Sequence, residues 1–244
     1  MTDLAHTETG TSGPLVVFVH GVLDRGRSFE PIAARLLDCR VITYDRRGYA
    51  GSAALPGAPA SVSRHADDLI ELLDGRRAIV VGHSFGGVTA TTAAVRAPEL
   101  VESLVLYETG MAWAPGWDDT AVRAVLDSAD PEVAALRLMF GERYEAMSAD
   151  EQQFRRRDAA AFVAEEESVR QGVHPFDLKA LKAPLIYARS APTVMPWVAD
   201  FVREHVPDAE LPLIEGAGHH AHRTKPDDFH ALVRRGIERA TAAR

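Results

Sequence analysis

A chain of 244 residues has room for one large domain or a domain carrying an insertion. Its composition, 46% hydrophobic and 25% charged, is that of a soluble globular protein, and a net charge of -8 with no offsetting basic stripe argues against nucleic acid as a partner. The polar start MTDLAHTETG does not read as a signal peptide, no apolar stretch reaches membrane-spanning length, and Cys39 is the only cysteine, so the expectation is a cytoplasmic protein with no membrane and no intrachain disulfide.

Short apolar runs alternate with helical patterns along the chain. LVVFVH (15–20) precedes a helix over 28–37; RVITYD (40–45) precedes one over 63–73, with Ser63 and Asp67 near its start; AIVVGH (78–83) precedes Phe85–Arg96; then comes SLVLYE (103–108). Here the rhythm breaks. Between Glu108 and Pro184 no strand is expected, and 118–126, Pro131–Phe140 and Ala149–Arg170 read as helices, with RRR (155–157) and EEE (165–167) as solvent-facing charges and an anion-binding role for the three arginines as the weaker alternative. PLIYAR (184–189), a helix over 194–204, ELPLIE (210–215) and a helix over 226–240 restore the pattern, and Pro226 suits a first helical turn. Continuous Val/Ile/Leu runs suit strands covered on both faces, so the expected fold class is α/β, a doubly wound, mostly parallel sheet. The helical interval is too long for a crossover. It reads as a cap over 111–177 inserted into a core made of 1–110 and 178–244. Chemistry in such sheets collects at the carboxyl edge of the strands, and a cap leaving that edge would roof it.

The strongest chemical signal is VVGHSFGG (80–87). Gly82-His83-Ser84-Phe85-Gly86 matches G-x-S-x-G, follows a strand and opens a helix, which is the context a nucleophilic serine needs. The turn leaves no room for side chains at its flanks, hence the glycines. It lifts Ser84 to the sheet edge beside a helix N-terminus, where backbone N–H groups favour developing negative charge. Serine needs a base. Of ten histidines, His219 follows a strand and a Gly-rich loop and can reach back over the sheet edge; His220 beside it competes.

With these residues the sequence resembles the α/β-hydrolase superfamily over nearly its whole length. FVHGV (18–22) is similar to the family's oxyanion loop, YDRRGYAGS (44–52) to the loop after its fourth strand, and GAGHHAH (216–222) to the loop bearing the catalytic histidine. The resemblance implies an oxyanion hole built from the backbone N–H groups of Val22 and Phe85. It selects His219 as the base, and makes His20, Arg46 and Arg47 loop-stabilising. His83 is expected to pack or bond locally, and His222 to Pro226 to set the next loop. The family's usual acid follows its seventh strand, but IYARSAPTVM (186–195) has no Asp or Glu. Glu108, after the sixth strand in the family's count, stands at the same edge, and some branches of the superfamily carry their acid there. Ser84, Glu108, His219 then keeps the family's order. Asp118, Asp119 and Asp177 are the weaker alternatives.

The expected activity is a cofactor-independent serine hydrolase acting on a small or medium carboxylic ester, with carbon–carbon bond hydrolysis and perhydrolysis open to the same triad. The alternative from another class is a binding or sensing protein that kept the fold. No metal is expected, since neither H-E-x-x-H nor paired cysteines occur. Trp113, Trp117 and Met139 are the pocket candidates, along with Met111, Leu138 and Phe140, for a small-molecule substrate.

Overall fold

The computed structural model describes residues 3–57, 60–170, 175–193 and 195–242. His174, expected in the cap, and Val194, expected at a helix start, lie outside them. Seven strands form one sheet: β1 (His6–Thr9), β2 (Leu15–Val19), β3 (Arg40–Tyr44), β4 (Ala78–His83), β5 (Val101–Tyr107), β6 (Leu185–Ala191) and β7 (Leu213–Glu215), in the order β1-β3-β2-β4-β5-β6-β7. Only β1 runs antiparallel, against β3. The strand leading to Glu108 is therefore the fifth of this chain, one fewer than the family's count suggested.

The helices are α1 (Glu30–Ala33), α2 (Val62–Leu73), α3 (Phe85–Arg96), α4 (Thr120–Leu126), α5 (Pro131–Phe140), α6 (Glu142–Glu145), α7 (Ala149–Arg170), α8 (Pro196–His205), α9 (Ala221–Thr224) and α10 (Pro226–Ala242). Two expectations change. The tail around His6 is a strand, four exposed residues held to β3 by the backbone alone. The helix expected over 28–37 breaks into a 3-10 turn, Gly26–Phe29, and the single turn α1; three-residue turns after it, Arg35 N–H to Ile32 and Leu36 N–H to Ala33, deliver Leu36 and Cys39 to the core. For α2 the cap is Ser61, whose hydroxyl accepts from Arg64 N–H, rather than Ser63.

Both faces of the sheet are buried, which is why its central strands read as unbroken apolar runs. Leu15, Val17 and Val19 of β2 pack on one side with α2 and α3; Val16 and Phe18 pack on the other with Phe229, Leu232 and Val233 of α10. Each such side chain is worth roughly 1.5–3 kcal/mol relative to leaving it exposed. Strand ends on this frame are consequently well fixed in space.

Helices α4 to α7 fill the interval between β5 and β6. They build a third apolar cluster that includes Leu23 and Tyr49, from the loops leaving the carboxyl ends of β2 and β3. The helical layer therefore sits on the sheet edge where those loops emerge. Its anchor corrects the reading of EEE as solvent-facing. Glu165 is fully buried, forms an ion pair with the equally buried Arg46, and accepts from Tyr49 Oη at 2.7 Å; His65 Nε2 lies 2.6 Å from it. Burial pushes the Glu165 carboxyl up, but Arg46 and His65 prevail and hold it well below the usual glutamate range.

Because its folded value is depressed, ionised Glu165 contributes stability that is full above the ordinary value of 4.5 and is lost as pH falls below it. Glu165→Gln should cost about 3 kcal/mol at pH 7, since Arg46 keeps its burial and loses its counter-charge. Urea unfolding of parent and variant should show this gap narrowing below pH 4.5; a gap independent of pH would contradict the assignment.

Candidate active site

Ser84 occupies the turn between β4 and α3 with φ 53° and ψ −128°, a conformation L residues rarely adopt. The neighbouring glycines are forced by contact. A Cβ on Gly82 would come within 2.5 Å of Gly87 Cα, and one on Gly86 within 2.2 Å of Val19 O. Ser84 N–H donates to Tyr107 O at 3.0 Å, which ties the turn to the end of β5. A Cβ on Gly21 would lie 3.0 Å from Ser84 Cβ, so the loop after β2 passes directly beside the serine.

That loop is held from below. His20 Nδ1 contacts Gly21 O at 2.7 Å, while its Nε2 accepts from Arg46 N–H at 2.9 Å. Arg46 donates further to His20 O and Gly21 O. Burial first, and Arg46 second, lower His20 to a pKa of about 3, so the ring is neutral and can accept. The loop-fixing reading of His20 and Arg46 agrees with this geometry, and Arg47 likewise grips Asp68 with two donors. Among the described residues, Val22 N–H meets no acceptor. Phe85 N–H opens α3, where first-turn donors have no intrahelical partner.

His219 follows β7 in a loop pinned at three points. Tyr107 Oη donates to Gly218 O at 2.6 Å, Gly218 N–H donates to Ser190 Oγ at 2.8 Å, and His83 Nε2 contacts His219 O at 2.7 Å. The His219 side chain is about a quarter exposed, and its Nδ1 lies 3.6 Å from Glu108 Oε2. Neither of these two atoms has another hydrogen-bond partner among the described residues. A sub-ångström movement would bring them into bonding distance.

Glu108 itself has φ 47° and is 1% exposed. Its Oε1 accepts from Ser190 N–H at 2.7 Å. Burial raises the carboxyl, but His219, the Ser190 N–H and Thr193 outweigh it and hold the group below the usual range. Ser190 thus joins Glu108 through its backbone and the His219 loop through its hydroxyl. The other carboxylates have other partners: Asp118, which lines the Ser84 cavity, and Asp177 accept from Thr120 and Lys179 N–H groups, and Asp119 pairs with Arg123.

Two cavities meet here at Val22 and Met139. The first, about 300 Å³, is lined by Ser84, Phe85 and His219 together with Trp113, Trp117 and Met195. All three pocket candidates therefore reach it, as does Leu138, whereas Met111 is packed in the core. The second, about 600 Å³, takes in Phe140 and His220 instead. His222, expected to help set the next loop, is buried in α9 against Phe29, with Nε2 3.6 Å from Asp24 Oδ2. Asp24, His83 and His222 bring ligand-type atoms within 4.8 Å of one another. A guanidinium already occupies this corner, since Arg223 pairs with Asp24. Among the described residues, no helix is long and apolar enough to cross a membrane.

The chain is 40% identical over 101 residues to 2-(acetamidomethylene)succinate hydrolase of Mesorhizobium japonicum, covering 40% of this chain and 36% of that protein. It is 34% identical over 130 residues to lipase LipV of Mycobacterium tuberculosis, covering 52% and 48%. The matched stretch thus spans between a third and a half of these relatives' length. A thermophilic esterase from Thermogutta terrifontis superposes with a TM-score of 0.76 at 21% identity, covering 97% of this chain and 93% of that one, a likeness of fold. The alpha/beta hydrolase family pattern matches residues 16–232, which is most of the sheet and every loop described above, and the chain belongs to that family.

Proposed function

We propose that this protein is a serine hydrolase that cleaves a small or medium carboxylic ester through an acyl-enzyme. The observation that carries the reading is the convergence of Ser84, His219 and Glu108 at one cavity, with Nδ1 of His219 facing the buried Glu108 carboxylate. Ser84 Oγ attacks the carbonyl carbon as His219 takes its proton; His219 then returns the proton to the departing alcohol. Water, activated by the same ring, attacks the acyl carbon and releases acid and free Ser84. Glu108 stabilises the imidazolium without accepting its proton. The N–H groups of Val22 and Phe85 receive the oxyanion, each worth on the order of a hundredfold in rate. Residues 111–177 serve as a cap that keeps water from the site, and Trp113, Trp117 and Met139 form the apolar wall for a small-molecule substrate. The relatives named as a 2-(acetamidomethylene)succinate hydrolase and a lipase support hydrolysis in general and leave the substrate open.

An active-site phosphonate should label Ser84 stoichiometrically and should not label Ser84→Ala. Folded parent protein that resists labelling would favour a binding or sensing role instead. Glu108→Gln should lower kcat by about ten-thousandfold with the fold intact, on the scale of other triad acids; near-normal turnover of both an activated and an unactivated ester would remove Glu108 from the mechanism. Ser190→Ala should cost about 1 kcal/mol by orphaning Gly218 N–H. It should also speed hydrogen exchange at that amide, and an unchanged exchange rate would argue that Tyr107 and His83 hold the loop without Ser190.

A further inference from the structure

The larger cavity has a charge pattern at odds with the chain around it. In a protein of net charge -8, its walls carry Arg25, Arg27, Arg143, Arg155 and Arg223 against one carboxylate, Asp24. Internal partners meet only part of this charge. Asp158 takes Arg25 at 3.1 Å, Asp24 takes Arg223 at 2.5 Å, and Glu151 stands 3.7 Å from Arg155. Arg27 and Arg143 have no ion-pair partner among the described residues. Arg155 Nε is buried without a hydrogen-bond partner, and burial together with Arg25 pushes that guanidinium below its usual range. Cations gathered against their own repulsion around an open space are arranged for an anion, and the guanidinium fork matches carboxylate and phosphate oxygens.

The neighbouring cavity has the opposite polarity. Its charged lining apart from His219 is Asp118 and Glu166, the latter paired with Arg170 at 2.5 Å, amid tryptophan and methionine and, among the described residues, with no arginine facing it. A substrate with its carbonyl beside Ser84 and Val22 would have one limb in each cavity, and an anionic limb is repelled from one and drawn into the other.

We propose that the substrate carries an anionic group, a carboxylate or a phosphate, remote from the scissile carbonyl, and that Arg27, Arg143 and Arg155 bind it. This rests on the hydrolase reading of Ser84 and names the substrate class for that site.

The test is a set of matched esters: mono-4-nitrophenyl glutarate against 4-nitrophenyl pentanoate, and 4-carboxyphenyl and 4-phosphonooxyphenyl butanoate against phenyl butanoate. At least one anionic ester should exceed its neutral twin by about tenfold in kcat/KM, mostly through KM, with the advantage shrinking as sodium chloride is added. The winning member distinguishes carboxylate from phosphate. In R27Q/R143Q, which removes two exposed charges without partners, the ratio of anionic to neutral kcat/KM should collapse, as it should in R155Q. R76Q, on the arginine two residues before β4 that pairs with Glu8, should retain it. Equal use of all twins by the parent, or a preference that survives both variants, would overturn the proposal. If every ester is inert, the hydrolase reading fails separately. Calorimetric titration of glutarate and of inorganic phosphate then decides the anion site alone: binding by the parent that is lost in R27Q/R143Q upholds it, and no binding by the parent removes it.

Discussion

Arg46 is the constraint on which the rest hangs. Its guanidinium has no contact with water, so every donor must find an oxygen inside the protein. It takes two from the backbone of His20 and Gly21 and one from Glu165, while its own N–H goes to the His20 ring. The loop that brushes Ser84, the loop after β3 and the long helix α7 are thereby locked to one cation. A buried ion pair adds little net stability by itself. What this one supplies is position: the floor of the site and the helices above it share a single anchor and keep a common register.

Strain is concentrated at the same edge. Ser84 and Glu108 both have positive φ, and both end strands in the middle of the sheet. Neighbouring parallel strands bury enough apolar surface to hold such residues where isolated turns would relax. The rigid sheet therefore does for Ser84 and Glu108 what the pinned loop does for His219.

The sequence was legible where one local pattern carries the answer. Short apolar runs marked all six strands of the parallel set, β2 to β7, and the Gly-flanked serine marked its own turn. Elimination pointed to Glu108, because IYARSAPTVM holds no acid, and the fold sets its carboxylate 3.6 Å from the His219 ring. Strand β1 was not legible, since HTET buries no side chain and offers no apolar signal. Glu165 was misread because EEE looks uniform as a string. Helical spacing was the missed signal: Asp158, Phe162 and Glu165 lie four and three residues apart on one stripe, and all three are buried. The arginine cavity had only a faint signature, RRR with Arg155 in it. Its residues come from the loop after β2, from α6, α7 and α9, and meet only in three dimensions.

The clasp on Glu108 comes from a main-chain N–H, that of Ser190, and a main-chain donor is indifferent to most side chains around it. In the proposed mechanism, acid chemistry has shifted one strand inward, and the segment after β6 is released from supplying a reactive group. Met195 already uses that freedom to face the cavity. The vacated corner is a place where shape selectivity can drift residue by residue while the reactive trio stays untouched, so that new preferences need not be bought with lost reactivity.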